Sequence, residues 1–232
     1  MNKTESRKKH NEEYLESIGC PINKNMPLTE DIKKLNFRSP EEIAKRCCVL
    51  SAFVAGIGCN CPMKVINNWL KDNNLIDSTS PEEAELFKKK QSLFSSFKIS
   101  QQDIANAQWR VEAIFALAWT IGIVENINPL KHVPDDLVYK VSSPPPKNEG
   151  LAKKHKVSVS DFIKNAKLRD KEEIMTQTDL IYRLHWATRD AMLNNSKNPV
   201  KLKDSNSIYH ERHHAFNWVI GLDEWDDVTT DT

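Results

Sequence analysis

The residues able to do chemistry gather in three stretches that set charge beside tryptophan. They are Trp109-Arg110-Val111-Glu112, the run from Arg183 through His185 and Trp186 to Arg189-Asp190, and Glu211-Arg212-His213 leading to Asn217-Trp218. In the second stretch His185 and Arg189 stand four apart and share a helix face, as do Tyr182 and Trp186. Converging guanidinium groups from Arg110, Arg183, Arg189 and Arg212 would suit a planar anion such as carboxylate or phosphate. The candidate ligand face therefore comprises Arg110, Glu112, Arg183, His185, Trp186, Arg189, Asp190, Glu211, Arg212 and His213. The competing account, and the favoured one, pairs these arginines with Glu112, Asp190, Glu211 or the tail acids, because structural ion-pair networks imitate functional sites.

Two further patterns invite a metal. His210-Glu211-Arg212-His213-His214 reads H-E-x-x-H, the spacing that lets two histidines hold zinc while the glutamate acts as base. A third ligand is required, and Asp223, Glu224 or His185 is no more than a guess; the plainer expectation is a solvated helix face. Cys47-Cys48 and Cys59-x-Cys61 could approach one another, but the spacing is not that of zinc knuckles, and buried, inert thiols are expected. Cys61 before Pro62 could also cap a helix. No cofactor is expected. No G-x-S-x-G elbow and no adjacent Cys–His pair specifies nucleophilic catalysis. His185 could act as a base beside Asp190 or Glu112, although a lone histidine on a packed helix is more often a satisfied core residue. The tail, with Trp225 and the carboxylates of Asp226, Asp227 and Asp231, is expected to dock back on the arginine face as a clasp; a hard-cation site is the alternative.

The elements that must position these residues surround Gln108–Val124, which is apolar on every side from Ala113 to Trp119 and reads as a buried central helix. Its start is expected at Ser100. Ser39-Pro40-Glu41-Glu42 opens an earlier helix that Gly56 and Gly58 should stop. Cys61-Pro62 and Ser80-Pro81 open two more, the latter with Ala84, Phe87 and Leu93 inward. The proline-rich stretch 129–150 reads as a surface connector. Beyond it come a short helix capped by Ser158 or Ser160, a long helix over Asp170–Leu193 and a last one from Asp204 or Ser205. The two later helices are expected beside the central one. Only Val138–Val141 and Lys156–Val159 resemble short strands. The fold class is all-α: a single multi-helix domain around a buried central helix, residues 38–232, with a loosely packed N-terminal extension over residues 1–37 and an acidic tail.

Length and composition bound the rest. A chain of 232 residues can bury a sizeable core. A net charge of +1 gives no overall pull toward nucleic acid or anionic membrane. The basic N-terminus and the Ala152–Lys156 run do not form a recognition motif, which argues against nucleic acid. No signal peptide or bilayer-length apolar run is visible. Five cysteines, an odd number, suit free thiols in a reducing cytoplasm.

Several blocks together carry a family resemblance: RSPEEIAKR at Arg38–Arg46, WRVEAIFALAWTIGI from Trp109, LIYRLHWATRDA from Leu180, and ERHHAFNWVIG followed by EWDDVTTDT at the end. The chain resembles the domain of unknown function 4272 family from about Arg38 to Thr232. Glu211, Arg212 and His213 fit the family pattern, whereas His210 and His214 look peculiar to this chain. The resemblance implies a bacterial, cytoplasmic, mostly helical protein and implies no activity. Two function classes follow. The first is a non-enzymatic binding protein that meets a protein or a small anionic ligand through the Trp/Arg face. The alternative is a small-molecule hydrolase or transferase with a pocket among Arg110, His185, Arg189 and His213. The first is preferred, because spacing specifies no catalytic arrangement.

Overall fold

The computed structural model describes residues 2–91, 99–145, 157–197, 199–200 and 204–232. The chain is all-α, and the described residues contain no strand. In chain order the helices are α1 (Lys3–Ser17), α2 (Pro40–Phe53), α3 (Met63–Asp72), α4 (Pro81–Gln91), α5 (Gln101–Thr120), α6 (Leu137–Lys140), α7 (Val159–Asn165), α8 (Lys171–Leu193) and α9 (Ser205–Val219). Val138–Val141, one of the two strand candidates, falls mostly in the single turn α6. The described part of the other runs through Val157 and Ser158 into α7, while Lys156 lies outside the described residues. So do Leu93, Pro146 and the Ala152–Lys156 run. No helix of the described residues is long and apolar enough to cross a membrane.

The chain divides into two compact units, residues 39–127 with 133–168 and residues 1–38 with 128–132 and 169–232. The unit of residues 39–127 and 133–168 is built around α5. Ser100 caps it with a reciprocal Asp103 bond, as the sequence suggests, and Ala113 through Thr120 are buried. α2 begins at the expected capping box of Ser39 and Glu42, with Pro40 at its first position. Its α-helical part ends at Phe53, and the helical run as a whole ends at Gly58, as expected. Val54–Gly58 continues it as a π-helical turn in which the Cys59 N–H reaches back five residues to the Val54 carbonyl at 2.8 Å. Gly58 permits this, because a Cβ there would stand 3.2 Å from the Gln108 side chain and 3.3 Å from its backbone nitrogen. Gly58 thus serves close approach to α5 as well as ending the helical run, while a Cβ on Gly56 would press on Ile66, Met63 and Phe87. Arg46 of α2 and Glu83 of α4 form a buried ion pair, and the same carboxylate accepts the Ser80 N–H at 2.9 Å.

In the other unit, α8 is capped by Asp170 and packs along α9. α1 is not loose. Its Asn2–Glu5 capping box is complete, Leu15 is fully buried, and Arg7 and Asn11 are buried with it. Asn11 Nδ2 donates to Asp179 of α8 at 2.8 Å, and Arg7 binds Glu172 at 3.0 Å. The mostly polar composition of α1 concealed this, since its inward side is made of hydrogen-bonded groups with a single leucine. Leu15→Ala should therefore destabilise the protein by about 2–5 kcal/mol, as buried leucine truncations do. Urea denaturation followed by circular dichroism checks this, and an unchanged midpoint would mean that α1 contributes nothing to folding.

Candidate functional site

The residues of the expected face are divided between the two units and differ in burial. Arg110 and Glu112 belong to the α5 unit, and the other members belong to the α8–α9 unit. Glu112 is almost fully buried, and its carboxylate accepts the Val133 N–H at 3.1 Å. Arg183 is buried and turned inward. Its Nε and Nη2 donate to both oxygens of Asp179 at 2.9 and 3.0 Å, and Nη1 meets Glu12 at 3.0 Å. Asp179 also accepts from Asn11 and Thr29, so this guanidinium and carboxylate form one closed network. Arg212 is fully buried and spends its donors on main-chain carbonyls of Asn128, Pro129 and Lys131, the last at 2.6 Å. It holds the loop 128–132 in place. What remains outward is Trp186 and Asp190, half-buried, and Arg189, exposed. Asp190 accepts a bond from Asn194 at 2.9 Å. Asp179, which the sequence reading passed over, stands four residues before Arg183, the spacing of a helical ion pair.

Between α8 and α9 lies a histidine cluster. The Nδ1 atoms of His185 and His213 are 3.1 Å apart, with the rings nearly perpendicular. Both rings are buried. Burial, reinforced by neighbouring histidines and, for His185, by Arg189, lowers each pKa to about 3. Both are therefore neutral near pH 7, and one donates its Nδ1 proton to the other. His210 lies edge-on to His185 at 5.8 Å, whereas His214 packs against Trp225 at 4.4 Å. The two histidines of the H-E-x-x-H run thus face different neighbours, and Glu211, His213 and His214 are buried rather than on a solvated face. Among the described residues no three of His, Cys, Asp and Glu come together as a group that could hold a metal ion.

The tail docks within its own unit. Trp225 is buried against His214 and Trp218, and Asn217 donates to the Thr229 carbonyl at 2.9 Å. The arginine that meets Glu224 is Arg38, at 3.0 Å, outside the expected face; its guanidinium also lies 5.2 Å from the Trp218 ring centre. Gly221, at φ +78°, makes the turn into the tail, where a Cβ would fall 2.1 Å from the Asn36 carbonyl.

The α5 unit contains a cavity that no candidate residue anticipated. It encloses about 480 Å³, within the usual size range of small-molecule sites. Val54 of the π turn, Val111 and Ile114 of α5, and Val133, Leu137 and Val141 supply most of its wall. The thiols of Cys59 and Cys61 also line it. Burial, with Cys61 beside it, raises the Cys59 pKa, and burial pushes Cys48 up to about 12 and Cys47 well above the ordinary thiol value. These thiols are protonated at neutral pH and weak as nucleophiles. A signal for this wall was present in the supposed connector: Val133, Leu137 and Val141 recur every four residues, a helical spacing set between prolines.

The histidine pair fixes a pH dependence. Unfolded histidine takes up its proton near pH 6.5, but these two resist protonation in the fold down to about 3. Stability is then fully present above pH 6.5 and falls as pH drops below it, by up to about 1.4 kcal/mol per pH unit for each ring. Urea titrations between pH 7 and 4.5 should show this slope, and His185→Asn should make it shallower. A flat profile in the wild type would contradict the buried neutral pair. Separately, deletion of Glu224–Thr232 should lower the melting temperature by several degrees, at about 2–4 °C per kcal/mol for a chain of this size. An unchanged melting curve would show that the tail is no clasp.

A family model described as "Domain of unknown function (DUF4272)" matches residues 7–228. No curated protein and no solved structure matches the chain.

Proposed function

The chain belongs to the DUF4272 family, and we propose that it is a non-enzymatic binding protein whose ligand site is the apolar cavity of the α5 unit. The observation that carries this reading is the cavity itself. It is a concave site of small-molecule size, walled by packed aliphatic side chains, with few polar groups. The π turn on its edge supports the reading, since such turns cost regular helix bonding and occur often at functional sites. The Trp/Arg face is the weaker site. Arg183 and Arg212 are already committed to Asp179, Glu12 and main-chain carbonyls, which leaves Trp186 and Arg189 outward. A hydrolase or transferase centred on His185 would call for an acid beside that ring, and its ring partner is His213. The setting proposed is a bacterial cytoplasm, which the five free thiols suit.

Fluorescence titration with N-phenyl-1-naphthylamine, a neutral apolar probe, tests the site. Saturable one-site binding is expected. Val111→Trp, which adds bulk to the half-buried α5 wall, should weaken it by about tenfold or more, equivalent to ~1.4 kcal/mol. Absence of saturable binding, or equal binding by a folded Val111→Trp variant, would overturn the reading.

A further inference from the structure

The charges around the cavity are one-sided. Among the described residues no lysine or arginine lines it, and Asp135 is the one charged residue among its described lining residues. Asp135 is exposed and makes no hydrogen bond or ion pair with another described residue, whereas its neighbour Asp136 is held by Lys140 at 2.7 Å. Two thiols on the cavity wall carry no positive charge.

We propose that the ligand of this cavity is a hydrophobic amine: an apolar body lodged against Val54, Ile114, Leu137 and Val141, with its ammonium group at Asp135. The inference rests on the cavity being a ligand site and adds the charge of the ligand. The apolar body supplies affinity by leaving water. The head group decides which amphiphile is held. A carboxylate head would enter beside Asp135 with no cation among the described lining residues to receive it, and like charges brought together at a binding surface cost affinity. An alcohol head would be tolerated without preference. An ammonium finds an unpaired carboxylate at the edge of an apolar wall, so its body and charge are satisfied together. Because Asp135 is solvated, the gain over the alcohol is modest, about fivefold, the upper end for an exposed ion pair, and salt should diminish it.

The experiment displaces N-phenyl-1-naphthylamine from the full chain with decylamine, decanol and decanoate, all below their micelle-forming concentrations. Wild-type protein and Asp135→Asn are compared at low and high salt. Decylamine should displace the probe at about one fifth of the decanol concentration, with decanoate the weakest. In Asp135→Asn, with displacement referred to that variant's own probe affinity, the amine and alcohol should become equal. Equal displacement by amine and alcohol in the wild type would overturn the head-group inference and leave the cavity as a site for neutral molecules. So would an amine preference that survives Asp135→Asn. Stronger displacement by decanoate would overturn it in favour of an acid ligand. If the probe itself does not bind, the cavity reading and this inference both fall, so the two failures are told apart.

Discussion

A guanidinium or carboxylate that leaves water must take its partners with it. An uncompensated buried charge costs several kcal/mol. This constraint governs both units. Arg183 enters the interior only because Asp179 meets it with two oxygens and Glu12 completes the fork. Arg212, deeper still, is satisfied by carbonyls of the loop 128–132, so a backbone segment without regular structure of its own acquires a fixed path. Arg46 and Glu83 tie α2 to α4 in the same manner, and Glu112 orders the start of the cavity wall through Val133. The arginines that looked most like ligand-binding groups are for this reason the least available ones.

The same reasoning explains why the cavity differs from the rest of the interior. Its wall is aliphatic, so nothing there must be hydrogen-bonded, and space can remain open without an orphaned polar group. The π turn contributes by shape. Val54 and Ala55 lie in this wider turn, and Gly58 lets the backbone lie against α5 at Ala107 and Gln108. Val54 and Ala55 form one side of the opening; Val111 and Ile114 form another. The local irregularity and the cavity are therefore one feature of packing.

Most of the fold was legible in the sequence wherever a helix start has a chemical signature. Ser39, Ser100, Ser158 and Asp170 all cap as their spacing suggests, and the all-round apolar run of α5 is buried as its composition requires. Reading was incomplete where one residue type serves two purposes. Gly56 and Gly58 do mark the end of the helical run, but the run reaches Gly58 by a π turn and both glycines also allow close packing, which the sequence does not announce. The stretch from Val133 to Val141, with Pro134 inside it, is the largely exposed connector that its prolines suggest, but its Val133, Leu137 and Val141 also wall the cavity. For the candidate face, the sequence showed which residues are charged and share a helix side. It carried no sign of whether that side turns toward Asp179 or toward water, because both outcomes give the same spacing.

The histidines show how burial decides chemistry once position is known. His185 and His213 have the residue type of a general base, yet a base must exchange its proton near working pH. Held in the α8–α9 contact, each ring finds its hydrogen-bond partner in the other, and protonation of either would place a cation beside a second ring with little water to receive it. The pair is stable because it stays neutral. The Cys59 thiol at the cavity follows the same rule with the opposite sign of charge: desolvation and the neighbouring Cys61 raise its pKa and hold it protonated, which favours contact with an apolar molecule over attack on one. Both groups are reactive types placed in surroundings that suppress their reactivity, and this is why shape and charge at the cavity, rather than a nucleophile or a base, carry the functional reading.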